Sequence, residues 1–149
     1  MTLLVKNFTQ KKIEKKYLNK IVDETLRAIK VKKPVEISLV IIGEKRIKFL
    51  NQKYRGIDKI TDVLSFGNEE IVNKSQKFIS PPDGILYLGE IFICYMQAKR
   101  QARQKKHSEK HEMAILLIHG ILHLLGYDHK ENYENSDMKA IEKKVFSSL

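Results

Sequence analysis

Residues 109–125 read EKHEMAILLIHGILHLL, and no other stretch limits the fold as much. The segment is apolar nearly all round a helical wheel: Met113 to Ile118, then Ile121, Leu122, Leu124 and Leu125. A helix hydrophobic on every side belongs at the centre of its domain. Ser108 supplies a hydroxyl N-cap in front of it, and Gly126 a C′ residue behind it. Two histidines, His119 and His123, lie inside this apolar run. Buried imidazoles must find polar partners, so this helix carries chemistry as well as a core.

The remaining elements are those that can wrap such a helix. TLLVKNF (2–8) alternates and predicts a strand. Residues 11–30 put Ile13, Tyr17, Ile21 and Ile29 near one stripe, with Leu18, Val22 and Leu26 beside it, which predicts an amphipathic helix. VEISLVII (35–42) follows Pro34 and is β-branched and apolar, the pattern of a buried strand. EKRIKFLNQKY (44–54) predicts a short helix. DVLSF (62–66) and ILYLGEIFIC (85–94) predict strands, and the polar stretch 67–84, with Pro81-Pro82 and Asp83-Gly84, an exposed loop or loose hairpin. Residues 95–106 form a basic helix, and a last helix over about 136–146 buries Met138, Ile141 and Val145. Strands and helices mix irregularly, so the class is α+β: one domain, residues 1–149, with a small sheet and helices packed against it.

Composition narrows the function. Hydrophobic content of 42% and charge of 31% are globular values. Cys94 is the single cysteine, so no disulfide framework forms within the chain, which fits a reducing compartment. MTLLVKNF carries no cleavage-site pattern, and the longest apolar runs, such as MAILLI (113–118), are far too short to span a bilayer. The expectation is a soluble cytoplasmic protein with no membrane partner. The net charge of +10 favours polyanions, nucleic acid first. Its dense blocks are KKIEKK (11–16) and KRQARQKK (99–106), the second with Arg100 and Arg103 on one helical face.

HGILHLLGYDH (119–129) sets His119, His123 and His129 in the frame H-x-x-x-H-x-x-G-x-x-H. That is the ligand spacing of the metzincin zinc proteases, without the Glu they use as general base. Position 120 is Gly. His119 and His123, at i and i+4, project from one helix face and can share one ion. Gly126 turns the chain back, and His129 closes a three-nitrogen site. Three protein ligands leave a fourth position open, the mark of catalytic zinc. Three imidazoles also suit nickel, copper or iron. A rival pair, His107 and His111, sits among Lys105, Lys106 and Lys110, which repel a cation, and is expected to face solvent. Cys94 reads as a small buried hydrophobe rather than a ligand. Met138 is explained by the amphipathic spacing of the last helix.

Taken with NQKYRGIDKITDVLSF (51–66) and LGEIFIC (88–94), the histidine frame resembles the YbeY family of bacterial metal-dependent endoribonucleases, in order and spacing over roughly residues 35–130. The resemblance implies a zinc site made by His119, His123 and His129. It implies an Arg needed for activity, here Arg55 in Tyr54-Arg55-Gly56, so that Arg55 and His119 are the candidate catalytic residues. It implies RNA as substrate: maturation of ribosomal RNA, including the 3′ end of the small-subunit RNA, and ribosome quality control, with the small subunit and ribosome-associated proteins as partners. It implies a small mixed sheet with the metal helix packed on it. Two positions depart from the family pattern. Gly89-Glu90-Ile91 replaces the usual G-D-I, and Gly67 replaces the Pro that often follows S-F.

On this reading the protease's base is dispensable. A phosphodiester is already anionic, so its hydrolysis needs charge neutralisation, which a metal supplies while lowering the pKa of its water toward ~7. A second cation then matters more, and Arg55 has the planar fork for a phosphate. The competing role for Arg55 is an ion pair with Asp58 or Asp62. Gly120 is expected to thin the helix beside the metal and to leave room for an RNA backbone. Asp128 is expected to orient a ligand imidazole, and Glu112 to be an ordinary acid of the first helical turn. Two other functions fit the same residues: a metalloprotease-like hydrolase with a different base, and an RNA- or ribosome-binding assembly factor whose metal is structural.

Overall fold

The computed structural model describes residues 2–67, 84–127 and 137–149. The strands are β1 (Thr2–Asn7), β2 (Val35–Ile42), β3 (Val63–Gly67) and β4 (Leu86–Cys94). The helices are α1 (Lys15–Ala28), α2 (Glu44–Arg55), α3 (Tyr95–Lys105), α4 (Glu109–Leu124) and α5 (Asp137–Ser147). The strands form one four-stranded sheet in the order β1-β2-β4-β3. β1 and β4 run parallel to β2, and β3 runs antiparallel to β4 along the edge. The sheet is therefore mixed and the class α+β, as expected. The stretch expected to be a loop lies, for residues 68–83, outside the described residues.

β2 shows how the pattern becomes layers. Val35, Ile37, Leu39 and Ile41 enter the main core, while Val40 and Ile42 join a smaller cluster on the opposite face with Ile47 of α2. A strand covered on both faces reads as a continuous apolar run, which VEISLVII does. α4 contacts β3, β4, α1, α3 and α5. It is the central helix its composition demanded, and Leu117, Ile118, Ile121 and Leu122 are fully buried. At about 1.5–3 kcal/mol for each large aliphatic side chain removed from water, this helix anchors the domain. Its ends are those read from the sequence. The Ser108 hydroxyl accepts from the His111 amide at 3.0 Å, and Gly126, at φ 95°, ends the helix.

α1 starts four residues later than its apolar stripe suggests. The Asn7 side chain holds the incoming chain in a local turn. Its Oδ1 accepts from the Thr9 amide at 2.9 Å, and its Nδ2 donates to the Lys11 carbonyl at 2.7 Å. Residues 8–11 are thereby kept out of the helix.

One glycine is required by the sheet. β4 bulges against β2, with Glu36 opposite Tyr87 and Ile37 opposite Gly89. Gly89 has φ 140°, and a Cβ there would lie 2.2 Å from the Phe66 carbonyl oxygen. Glu90 is exposed and registers with Ser38 and Phe66, whereas Ile91 next to it faces α4. Glu90 thus lies on the sheet face opposite the histidines and orients neither.

Candidate active site

A cleft of about 620 Å³ lies where α4, β3 and the C-terminus of α2 meet, and Arg55, Asp62, Ser65, His119 and His123 line it. Of the residues singled out from sequence, Arg55, His119 and His123 come together here. His129 and Asp128 lie outside the described residues.

Local structure accounts for the position of each side chain. α2 stops directly after Arg55 because Gly56 adopts φ 71° and donates its amide to the Gln52 carbonyl at 3.0 Å. Buried Asn51 then ties the following turn down by donating to the Lys59 carbonyl at 2.9 Å. Arg55 is left at the rim. Its Nη2 donates to the Ser65 carbonyl at 2.8 Å, and its guanidinium lies over the Phe66 ring at 5.4 Å. β3 is the edge strand, so Arg55 caps a carbonyl there and retains other N–H donors for a ligand.

The ion pair considered for Arg55 does not form. Asp58 lies 4.0 Å from Lys48. Asp62 turns Oδ1 to the Val63 amide at 2.7 Å and Oδ2 to Gln101 Nε2 at 3.2 Å. Among the described residues Arg55 has no carboxylate partner.

His119 and His123 open on the cleft from one face of α4. His119 Nε2 lies 3.2 Å from Oε2 of Glu142, a residue of α5 that is 5% exposed. Sequence reasoning missed Glu142. The signal was present: Met138, Glu142 and Val145 share the buried stripe of α5, and an acid in such a stripe needs a partner. Asp62 and Gln101 were also missed as a pair. Gln101 Nε2 donates both to Asp62 in the cleft and to Glu112 behind it, at 3.2 and 2.8 Å.

Gly120 does not do what the sequence suggested. A Cβ at this position would lie 2.8 Å from Ile91 Cγ2 and 2.9 Å from its Cδ1. The missing side chain therefore points into the sheet, and Gly lets α4 sit close on β4. The Gly120 carbonyl, not a vacant side-chain space, is what reaches toward the cleft, accepting from the Ser65 hydroxyl at 3.3 Å. A Glu at 120 has no room, so a base cannot occupy that position as it does in the metzincins.

His107 and His111 also differ from expectation. His107 precedes the N-cap, and its Nε2 lies 2.6 Å from Oε1 of Glu112, which is fully buried. His111 stacks on Phe146, with ring centroids 4.3 Å apart. Glu112 is accordingly not an ordinary first-turn acid. Burial by itself raises its pKa, but hydrogen bonds from His107 and Gln101 and the Lys105 charge bring it below the usual value. Cys94 is buried as read, and burial pushes its thiol pKa up.

The family profile described as "Endoribonuclease YbeY" matches residues 4–149. The chain belongs to the YbeY family. A protein of that name from Dehalococcoides mccartyi is 44% identical over 144 residues, covering 94% of this chain and 84% of the relative. Another from Roseiflexus castenholzii is 43% identical over 129 residues, 86% of this chain and 79% of its own. A third from Lachnospira eligens is 32% identical across all of this chain and 98% of its own. The solution structure of a Thermotoga maritima protein superposes with a TM-score of 0.58 at 26% identity, over 99% of this chain and 91% of that one. The YbeY membership agrees with the motifs that suggested it, and the mixed sheet with the histidine helix against it is this chain's version of the fold.

The donor set suits a transition metal. Two imidazoles on one helix face open on one cleft, and a buried carboxylate stands against one ring, the arrangement that orients a ligand histidine. Among the described residues no three His, Cys, Asp or Glu side chains are placed to hold an ion, and His129 lies outside those residues.

Proposed function

We propose that this chain is a zinc-dependent endoribonuclease that cuts single-stranded RNA during ribosomal RNA maturation, including the 3′ end of the small-subunit RNA, and in ribosome quality control. The observation that carries the proposal is Arg55. An arginine without a carboxylate partner among the described residues faces the same cleft as two metal-type histidines. A guanidinium with N–H donors to spare in a cleft is what a phosphodiester needs. The family name and the net charge of +10 support the same substrate.

His119, His123 and His129 would hold the ion, with nickel or another transition metal as a possible substitute. When bound, zinc would supply positive charge to the phosphate and a Lewis-acid centre that acidifies water. The rest belongs to the chain's own residues. Glu142 fixes the His119 ring through its Nε2, so the imidazole is oriented before any ligand arrives. The Ser65 carbonyl and the Phe66 ring hold the guanidinium at the rim. Arg55 then grips the non-bridging oxygens of the phosphate from the side opposite α4. No helix among the described residues is long and apolar enough to cross a membrane, and the reading places the protein in the cytoplasm with the ribosome's small subunit and its associated proteins.

The test is cleavage of a single-stranded RNA and of a peptide by the purified protein, before chelation, after it, and after zinc is restored. RNA should be cut, the cut should vanish on chelation and return with zinc, and the peptide should stay whole. RNA cleavage that survives complete metal removal would refute the reading.

A further inference from the structure

The three most exposed large apolar side chains among the described residues are Phe49 at 61%, Phe8 at 58% and Tyr54 at 58%. Phe49 and Tyr54 stand on α2 and Phe8 follows β1, and each has a cation of α2 against its ring. Arg46 lies over Phe8 at 4.5 Å, and Lys53 lies 5.8 Å from the Phe49 centroid and 5.3 Å from that of Tyr54. Tyr54 touches Phe66 at 5.2 Å, and Phe66 is the ring beneath Arg55. The strip therefore runs from the end of β1, along α2, into the cleft.

We propose that this strip is a track for single-stranded RNA, on which bases stack while Arg46 and Lys53 hold the phosphates, and which delivers the strand to Arg55. The proposal rests on the RNA-cleaving reading and deepens it by naming where the strand outside the cleft lies. The alternation of rings and cations matches a nucleotide chain, which presents a π-face and an anion at every unit. Arg46 to Arg55 spans ~14 Å of helix, enough for a few nucleotides. The charge balance agrees. α2 carries Lys45, Arg46, Lys48, Lys53 and Arg55 against one acid, Glu44, and Glu44 is paired with Arg100 at 2.8 Å. A protein partner fits less well, because interface cores are depleted of lysine and this strip is interleaved with it.

The chain has no tryptophan, so Phe49→Trp creates a single reporter on the strip without removing the ring. Rapid mixing with a single-stranded oligouridine 12-mer should quench its emission strongly, and a blunt duplex of the same length should not. Steady-state cleavage of the 12-mer by the Phe8→Ala/Phe49→Ala variant should show KM raised on the order of tenfold or more, with kcat and melting temperature unchanged. Both residues are exposed and neither lines the cleft, so neither the fold nor the reacting groups should change. Arg46→Gln and Lys53→Gln should each lower the slope of log affinity against log salt by about one. Unquenched emission with KM unchanged, in a protein that still cuts RNA, would overturn the track while leaving the endoribonuclease reading intact; the strip would then serve a protein. If the wild type cuts no RNA but the reporter is still quenched by single strands, the track stands and the cleavage reading falls.

Discussion

The chain has two histidine pairs with the same spacing, and the structure puts them to opposite uses. His107 and His111 have ring centroids 4.6 Å apart, yet one is tied to buried Glu112 and the other is stacked on Phe146. His119 and His123 open instead on a cleft whose far wall carries Arg55. The i, i+4 interval is common to both and decides neither. What differs is the packing opposite. The first pair meets the buried Glu112 carboxylate and the end of α5, which close it. The second meets edge strand β3 and the end of α2, which leave it open. In the second pair, Glu142 reaches His119 from a different element, and both rings line the cleft.

The largest effect expected from breaking this arrangement is at Arg55. Arg55→Ala should reduce RNA cleavage by about 10²–10³-fold, the usual cost of removing one preorganised donor from a developing charge. Among the described residues the exposed guanidinium closes no ion pair, so melting temperature and bound metal should stay as in wild type. Arg55→Lys should restore only part of the rate, since an ammonium cannot make the bidentate contact. A stability loss matching the activity loss would make Arg55 a structural residue.

The two buried acids should then separate cleanly. Glu142→Gln should weaken metal affinity by about 10–100-fold with the fold retained, as loss of a ligand-orienting carboxylate does. Glu112→Gln should leave metal affinity alone and cost about 1–3 kcal/mol of stability, because it disturbs charged hydrogen bonds in a buried site. Competition with a chelator of known affinity, alongside urea unfolding, distinguishes them. Equal effects of both substitutions on the metal would erase the distinction drawn between the pairs.

The closed pair should also make itself felt through pH. His111 has its pKa lowered, chiefly by burial and then by the His107 charge. Its folded pKa lies below the ordinary 6.5, so the native state binds fewer protons than the unfolded one. That contribution to stability is present above pH 6.5 and is lost as pH falls through the folded value. Glu112 has the same sign in a lower window, below its ordinary 4.5. His111→Phe keeps a ring on Phe146 and removes the first loss. Urea unfolding at pH 7.5 and 5.5 should show a smaller drop in the variant than in wild type. An equal drop would mean that His111 is not the group responsible.

The smallest effect is expected of Gly120→Ala. Gly120→Ala should cost about 1–3 kcal/mol through crowding against Ile91, offset by up to about 1 kcal/mol of better helix propensity. Gly120→Glu, which restores the protease motif on paper, forces a carboxylate into the same contact and should unfold the domain or push α4 off the sheet. Melting temperatures of the two variants test this. A stable Glu variant would show that the side chain can turn out of the sheet.

Much of this was legible in the residues, for physical reasons that can be named. β2 and α4 were readable because continuous apolar runs must be buried, and Ser108 and Gly126 because caps are local chemistry. Arg55 was legible only through the family resemblance; that Gly56 ends α2 directly after it emerged from the structure. The late start of α1 was not legible, since the Asn7 turn competes with an apolar stripe that continues through it. Glu142, Gln101 and Asp62 were hidden because their partners are distant in sequence. The direction in which position 120 faces depends on where the sheet lies, and a helical wheel does not contain the sheet.

The most direct test of the central claim is zinc per chain, measured on five single histidine-to-alanine variants purified identically. His107→Ala and His111→Ala should keep one zinc, and His119→Ala, His123→Ala and His129→Ala should each lose it. One zinc retained in any of the last three, or lost on removing His107 or His111, would contradict the division between the closed pair and the open one.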